Sequence, residues 1–157
     1  SLELSGASKF AFEFWLVTDD VYAIGETQRG FDFEGEVYLY LYRNTMPYFA
    51  MKDSGGTLRE ASGGNSLTTG AWTYIVGQYD GAELAFWLNL VKCPTVWSGA
   101  TTVFNGTDTT SMIGSNYLGT SWNFDGRISF FRAYIGSTLP ESARTNHYNQ
   151  ERHLFGI

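Results

Sequence analysis

A chain of 157 residues corresponds to one domain, and folding at this size removes roughly 68–70% of the unfolded surface from water. The net charge is −6, and the ten Lys and Arg residues are scattered singly. That balance argues against a nucleic-acid partner and against a polybasic membrane contact. No apolar run approaches the roughly 20 residues of a membrane span.

Twelve Phe, ten Tyr and five Trp make up 17% of the chain, a composition that suits strands and sugar-binding surfaces. Eighteen Gly against three Pro point to many turns. Cys93 is the only cysteine, so no intrachain disulfide forms and stability must come from the core. The chain opens at Ser1 without a charged leader, which reads as a piece of a longer protein.

In chain order, Phe10, Phe12, Phe14 and Leu16 fall on one face of a first strand, with Glu13 and Trp15 on the other. Val37, Leu39 and Leu41 alternate with Tyr38, Tyr40 and Tyr42. A turn at Asn44-Thr45 leads into a strand from Met46 to Lys52. Gly55-Gly56 and Gly63-Gly64 punctuate a polar stretch expected to contain a hairpin. Trp72 to Tyr79 and Leu84 to Asn89 form the plainest hairpin, turning at Asp80-Gly81. Ser111 to Tyr117 and Arg127 to Ile135 supply later strands, and a short helix begins at Pro140-Glu141. Nothing repeats and no linker divides the chain. The pattern predicts an all-β sandwich or barrel in one domain, residues 1–157.

Three segments carry a resemblance. They are Phe10-Ala-Phe-Glu-Phe-Trp15-Leu, then Trp72 through Asp80-Gly81 to Asn89, then Ile113-Gly114 with Phe124-Asp-Gly126-Arg-Ile128. Together they resemble the laminin-G-like, pentraxin-related branch of the concanavalin A-like jelly rolls. The resemblance implies a two-sheet antiparallel jelly-roll sandwich with one short C-terminal helix. It also brings sugar binders, protein-contact modules and virion appendage domains into view, because one fold hosts many functions.

Two positions depart from the family pattern. Leu90 follows Asn89 where family members often place Gly, and Ser129 stands where they often place Asp. Calcium is common in the family. Ser129 weakens that expectation, so no cofactor and no metal ligand is assigned. The final stretch from Asn149 to Ile157 resembles the tails of some phage and marine viral laminin-G-like proteins, which implies an extracellular or virion-associated location.

Candidate catalytic groups are few. Asp32, Glu34 and Glu36, if extended, would point three carboxylates one way, yet their order differs from the Glu-x-Asp-x-Glu strand of the superfamily's glucanases. A solvated acidic loop or weak cation site is the expected alternative. His147 and His153 read as surface or helix-end residues. Asn105-Gly-Thr107 fits a glycosylation triplet that matters only in a eukaryotic secretory route. No catalytic residue is assigned, and the chain is expected not to be an enzyme.

The outward aromatics carry the binding hypothesis. With Val37, Leu39 and Leu41 in the core, Tyr38, Tyr40 and Tyr42 face outward. With Leu84, Phe86 and Leu88 inside, Trp87 and Asn89 also face outward. Aromatic faces stack on the C–H face of sugars, while Asn and Tyr hydroxyls bond their hydroxyls. Trp122, between Ser121 and Asn123, joins this set. Three roles stay open for these rings: core or loop-covered packing, a glycan surface, or a subunit seam in a homo-oligomer. The expected function is a non-catalytic carbohydrate-recognition or adhesion module whose partner is a glycan or cell-surface polysaccharide. A phage or viral appendage is its expected setting. A structural or oligomerisation domain is the alternative, with a glycoside hydrolase third.

Overall fold

Alternation along β1 (Phe10–Thr18) sends Phe10, Phe12, Phe14 and Leu16 inward and Ala11, Glu13 and Trp15 to the opposite face. The computed structural model describes residues 4, 6–19, 27–42, 46–94, 96–105, 110–115 and 122–157. The expected turn at 44–45, Tyr117, and residues 106 and 107 of the glycosylation triplet lie outside them.

The strands form two antiparallel sheets, as the jelly-roll reading expects. One places β11 (Gly126–Ile135), β1, β6 (Thr73–Tyr79), β7 (Glu83–Leu88) and β8 (Val91–Lys92) side by side, with β9 (Trp97–Ser98) also pairing β7. The other runs β10 (Ser111–Ile113), β2 (Thr27–Phe33), β3 (Val37–Tyr42), β4 (Met46–Lys52) and β5 (Leu58–Ser62). Helix α1 (Glu141–Glu151) and a 3-10 turn (Arg152–Phe155) close the chain.

The core lies between the sheets and is built largely of phenylalanine. Phe12 meets Phe31 at 4.8 Å between ring centroids and Phe33 at 5.0 Å. Phe49 reaches across to the β6–β7 pair, and a Cβ added at Gly77 would lie 2.5 Å from its ring. Glycine there is what lets the ring approach the facing sheet so closely. Ile128 and Phe131 both pack on this core although they are three residues apart. A bulge opposite Phe14 makes this possible, with Phe130 at a φ of 51°.

The six-stranded sheet has a second, outer cluster. Trp15, Tyr74, Val76 and Trp87 on that face are roofed by the C-terminal segment. Tyr148 of α1 stacks on Trp15 at 5.6 Å, and Phe155 lies 4.6 Å from the same ring. One sheet is thus covered on both faces. The outer face of the five-stranded sheet carries no helix among the described residues.

Candidate functional site

On that uncovered face, strand β2 contains an irregularity that builds the site. Arg29 pairs with Tyr40 and Phe31 pairs with Leu39, so Gly30 is an extra residue in the ladder. In a regular strand, residues 29 and 31 would share a face. The bulge instead sends Phe31 into the core and Arg29 outward. A Cβ at Gly30 would lie 2.7 Å from Leu39 Cδ2, so the bulge is packed tightly beneath.

Backbone bonds pin the surroundings. The Gly114 amide donates to Gly30 O at 2.9 Å, and the Arg29 amide donates to Trp122 O at 2.7 Å. Trp122, distant in sequence, is thereby tied beside Arg29. It has a φ of 57° and is 48% exposed.

The Arg29 guanidinium lies 3.5 Å from the Tyr38 ring centroid, 5.0 Å from that of Trp122 and 5.6 Å from that of Tyr40. The residue is only 9% exposed. Asp32, two strand positions away on the bulged strand, approaches its Nη1 at 3.9 Å. Nε and Nη1 have no hydrogen-bond partner among the described residues. Tyr40 donates its hydroxyl to Oε1 of Glu60 on β5, and its ring stacks on Tyr48 at 4.9 Å with the planes 8° apart. Burial, reinforced by the Glu60 carboxylate, raises the Tyr40 phenol above its ordinary range, and burial also raises that of Tyr38. Arg29, Tyr38, Tyr40, Glu60, Leu58 and Trp122 line an open groove of about 200 Å³ together with Thr27.

Of the residues singled out in the sequence, Tyr38, Tyr40 and Trp122 meet in this groove. Tyr42 lies on the same face, half-buried, edge-on to Tyr48 at 6.4 Å. Trp87 and Asn89 do not join them. Trp87 points to the outer face of the other sheet, as alternation predicts, but Arg144 of α1 sits 4.2 Å above its ring and only 8% of it is exposed. Lys92 flanks it at 5.8 Å. The Asn89 side chain accepts from the Tyr74 amide at 2.9 Å, so its oxygen serves the hairpin. Of the three roles left open for Trp87, its place here is covered packing rather than a ligand surface, because α1 packs over it from the far end of the chain.

Residues 1–142 match a laminin G family of the concanavalin A-like lectin/glucanases superfamily. The chain belongs to this superfamily. No curated protein sequence matches it. Among solved structures it is similar to domain 4 of an extracellular arabinanase from Geobacillus stearothermophilus, solved with arabinotriose. Identity there is 19%, TM-score 0.65, with 91% of this chain and 68% of that one covered. It is also similar to the binding domain of Paraclostridial Mosquitocidal Protein 1, at 17% identity and TM-score 0.67, covering 94% of this chain but 38% of that one. A heptameric pentraxin from Limulus polyphemus matches at 11% identity and TM-score 0.64, with coverage of 92% and 71%. At these identities the likeness shows the fold.

The superfamily's frequent hairpin glycine has a visible replacement here. Asn89 and Leu90 have φ values of 47° and 70°, a two-residue turn between β7 and β8 that normally favours Asn-Gly. Leu90 accepts the left-handed backbone and packs against the Trp87 cluster. Ser129 sits opposite Trp15 beside the β11 bulge. No group of three or more His, Cys, Asp or Glu able to hold a metal occurs among the described residues.

The acidic run differs from both expectations for it. Phe33 and Val37 pair across a tight turn, so the carboxylates are not spread along one extended strand. Asp32 and Glu36 are each 1% exposed and Glu34 is buried, so the loop is not solvated. Asp32 Oδ1 accepts from the Gly35 amide at 3.0 Å, closing the turn.

His147 is likewise no free surface residue. Its Nδ1 lies 2.9 Å from Glu13 Oε1. Glu13, fully buried on β1, also accepts from Tyr74, from Tyr134 at 2.6 Å and from Arg132 at 3.3 Å. Arg132 continues to Glu151, which accepts from Trp15 Nε1 at 2.8 Å. This network clamps α1 to the sheet. The only sequence signal for it was a Glu inside an aromatic strand. Arg29 and Glu60, central to the groove, carried no signal in the alternation pattern, since the bulge hides the first and β5 lacks strand-forming composition.

Proposed function

We infer that this chain is a non-catalytic carbohydrate-recognition module that works outside the cell or on a virion, and that it binds through the outer face of the five-stranded sheet. The carrying observation is the gathering of Tyr38, Tyr40 and Trp122 around Arg29 and Glu60 in one groove. Trp122 offers an exposed ring for the C–H face of a sugar, while Arg29 supplies N–H donors and Glu60 an acceptor for hydroxyls. A shallow, mostly aromatic groove with a few fixed polar groups suits a glycan chain better than a deeply enclosed small molecule. The arabinotriose complex of the similar arabinanase domain supports the reading at the level of fold.

A glycan array tests it. The protein should bind at least one class of oligosaccharide. Trp122→Ala and Glu60→Ala should each lower that affinity tenfold or more while leaving the circular dichroism spectrum unchanged. Binding that both variants retain would move the site elsewhere, and a wild-type protein binding no glycan would reject the function.

A further inference from the structure

The charged groups of the groove bear on which sugars it admits, a question that rests on the carbohydrate-binding reading above. Arg29 is the cation on its floor, and two carboxylates already oppose it. Asp32 stands 3.9 Å from Nη1, and Glu60 lines the same groove across Tyr40. Lys52, opposite Leu58 at the end of the β4–β5 pair, is the other cation of this face among the described residues.

We propose that the groove takes an uncharged sugar unit, recognised through its hydroxyls against Trp122, and discriminates against uronic and sialic acids. A carboxylate only accepts hydrogen bonds, so it would use Arg29 alone and leave Glu60 facing a like charge. A hydroxyl both donates and accepts, so a neutral sugar satisfies both fixed groups at once. It gives Glu60 a donor and offers an oxygen to the edge of the Arg29 guanidinium that lines the groove. Arg29 is buried among Tyr38, Tyr40 and Trp122, where a third negative charge would be weakly screened by water. The backbone bond from Arg29 to Trp122 O holds the stacking ring and the donor in one fixed relation. Such preorganisation favours selection by shape and hydroxyl pattern over capture by charge.

The test is a direct comparison on the intact protein. Neutral hexose oligosaccharides are measured against matched forms in which C6 is oxidised to a carboxylate, and neutral pentose and glycoprotein-type oligosaccharides against matched forms to which a uronic or sialic acid is appended. The panel includes both cell-wall fragments and glycoprotein-type termini, which identifies the source of the sugar. Neutral forms should bind at least tenfold more tightly than their acidic counterparts, with affinity nearly constant between low and high salt. Glu60→Gln, which removes a charge while keeping the shape, should narrow that gap several-fold. Equal or tighter binding of the acidic forms, or affinity falling steeply with salt, overturns this inference and leaves the carbohydrate-binding function standing. Failure to bind any member of the panel removes both.

Discussion

Trp87 is 8% exposed beneath Arg144, whereas Trp122 is 48% exposed at the groove. Truncating a buried tryptophan to Ala removes its packing and leaves a cavity, at a cost of about 3–5 kcal/mol. An exposed ring changes stability by only about 0.5 kcal/mol. Denaturant melts should therefore separate Trp87→Ala, strongly destabilised, from Trp122→Ala, close to the parent protein. Equal midpoints for the two variants would contradict the placement of the C-terminal helix over Trp87. Cys93 is the second case. Burial pushes its thiol up to about 11, partly offset by a backbone bond at Leu88. Since only the thiolate reacts, about one molecule in a thousand would be competent at pH 8. A thiol-specific chromogenic reagent should react slowly with the folded protein and rapidly once it is unfolded.

At the level of elements, helix α1 is attached by chemistry more than by pattern. It has no basic residue in its last turn and no side-chain cap at Pro140. Its anchor is the network of Glu13, Arg132, Glu151 and His147, with the Tyr74 and Tyr134 hydroxyls closing on Glu13. Burial first, and then the Glu13 carboxylate, raise both phenols above the ordinary tyrosine range. Their folded-state values exceed the unfolded value, so the stability they contribute is complete below pH ~10 and is lost as the pH climbs through the raised values. Titration monitored by phenolate absorbance should show part of the ten tyrosines ionising only together with unfolding. Smooth ionisation of all of them with the fold intact would show that the network does not hold the helix.

For the whole molecule, the distance between the sheets depends on Gly77, over which Phe49 lies. Phe49 is fully buried, with Phe86 stacked 6.2 Å away, so its ring has little room to withdraw. Gly77→Ala should cost about 1–3 kcal/mol through overpacking, read as a lowered unfolding midpoint without loss of the β spectrum. A neutral effect would mean that the sheets yield more readily than a close-packed core does. The sandwich also divides its labour. The helix seals one outer face, and the other keeps the aromatic groove, so the candidate site follows from which sheet the C-terminal segment covers.

Sequence alone determined the sheet-forming strands with regular alternation. β1, β3, β4, β6 and β7 all follow a period-2 pattern that assigns every residue a face, and the hydrophobic set decides which face is inside. It therefore turned Tyr38, Tyr40, Tyr42 and Trp87 outward, without saying which sheet carries each. Whether an outer face meets water is a separate matter. It depends on segments distant in the chain, and periodicity carries no information about them. Tertiary structure alone buried Trp87 under residues 139–155, tied Trp122 to Arg29 and folded the acidic run into a buried turn. It also revealed β2, whose bulge at Gly30 breaks the alternation, and β5, whose Leu-Arg-Glu-Ala-Ser composition is not that of a strand. Local steric preference writes the period of a strand into its sequence. The groove instead arises from long-range contacts, where Arg29, Glu60 and Trp122 are brought together only when the sheets close.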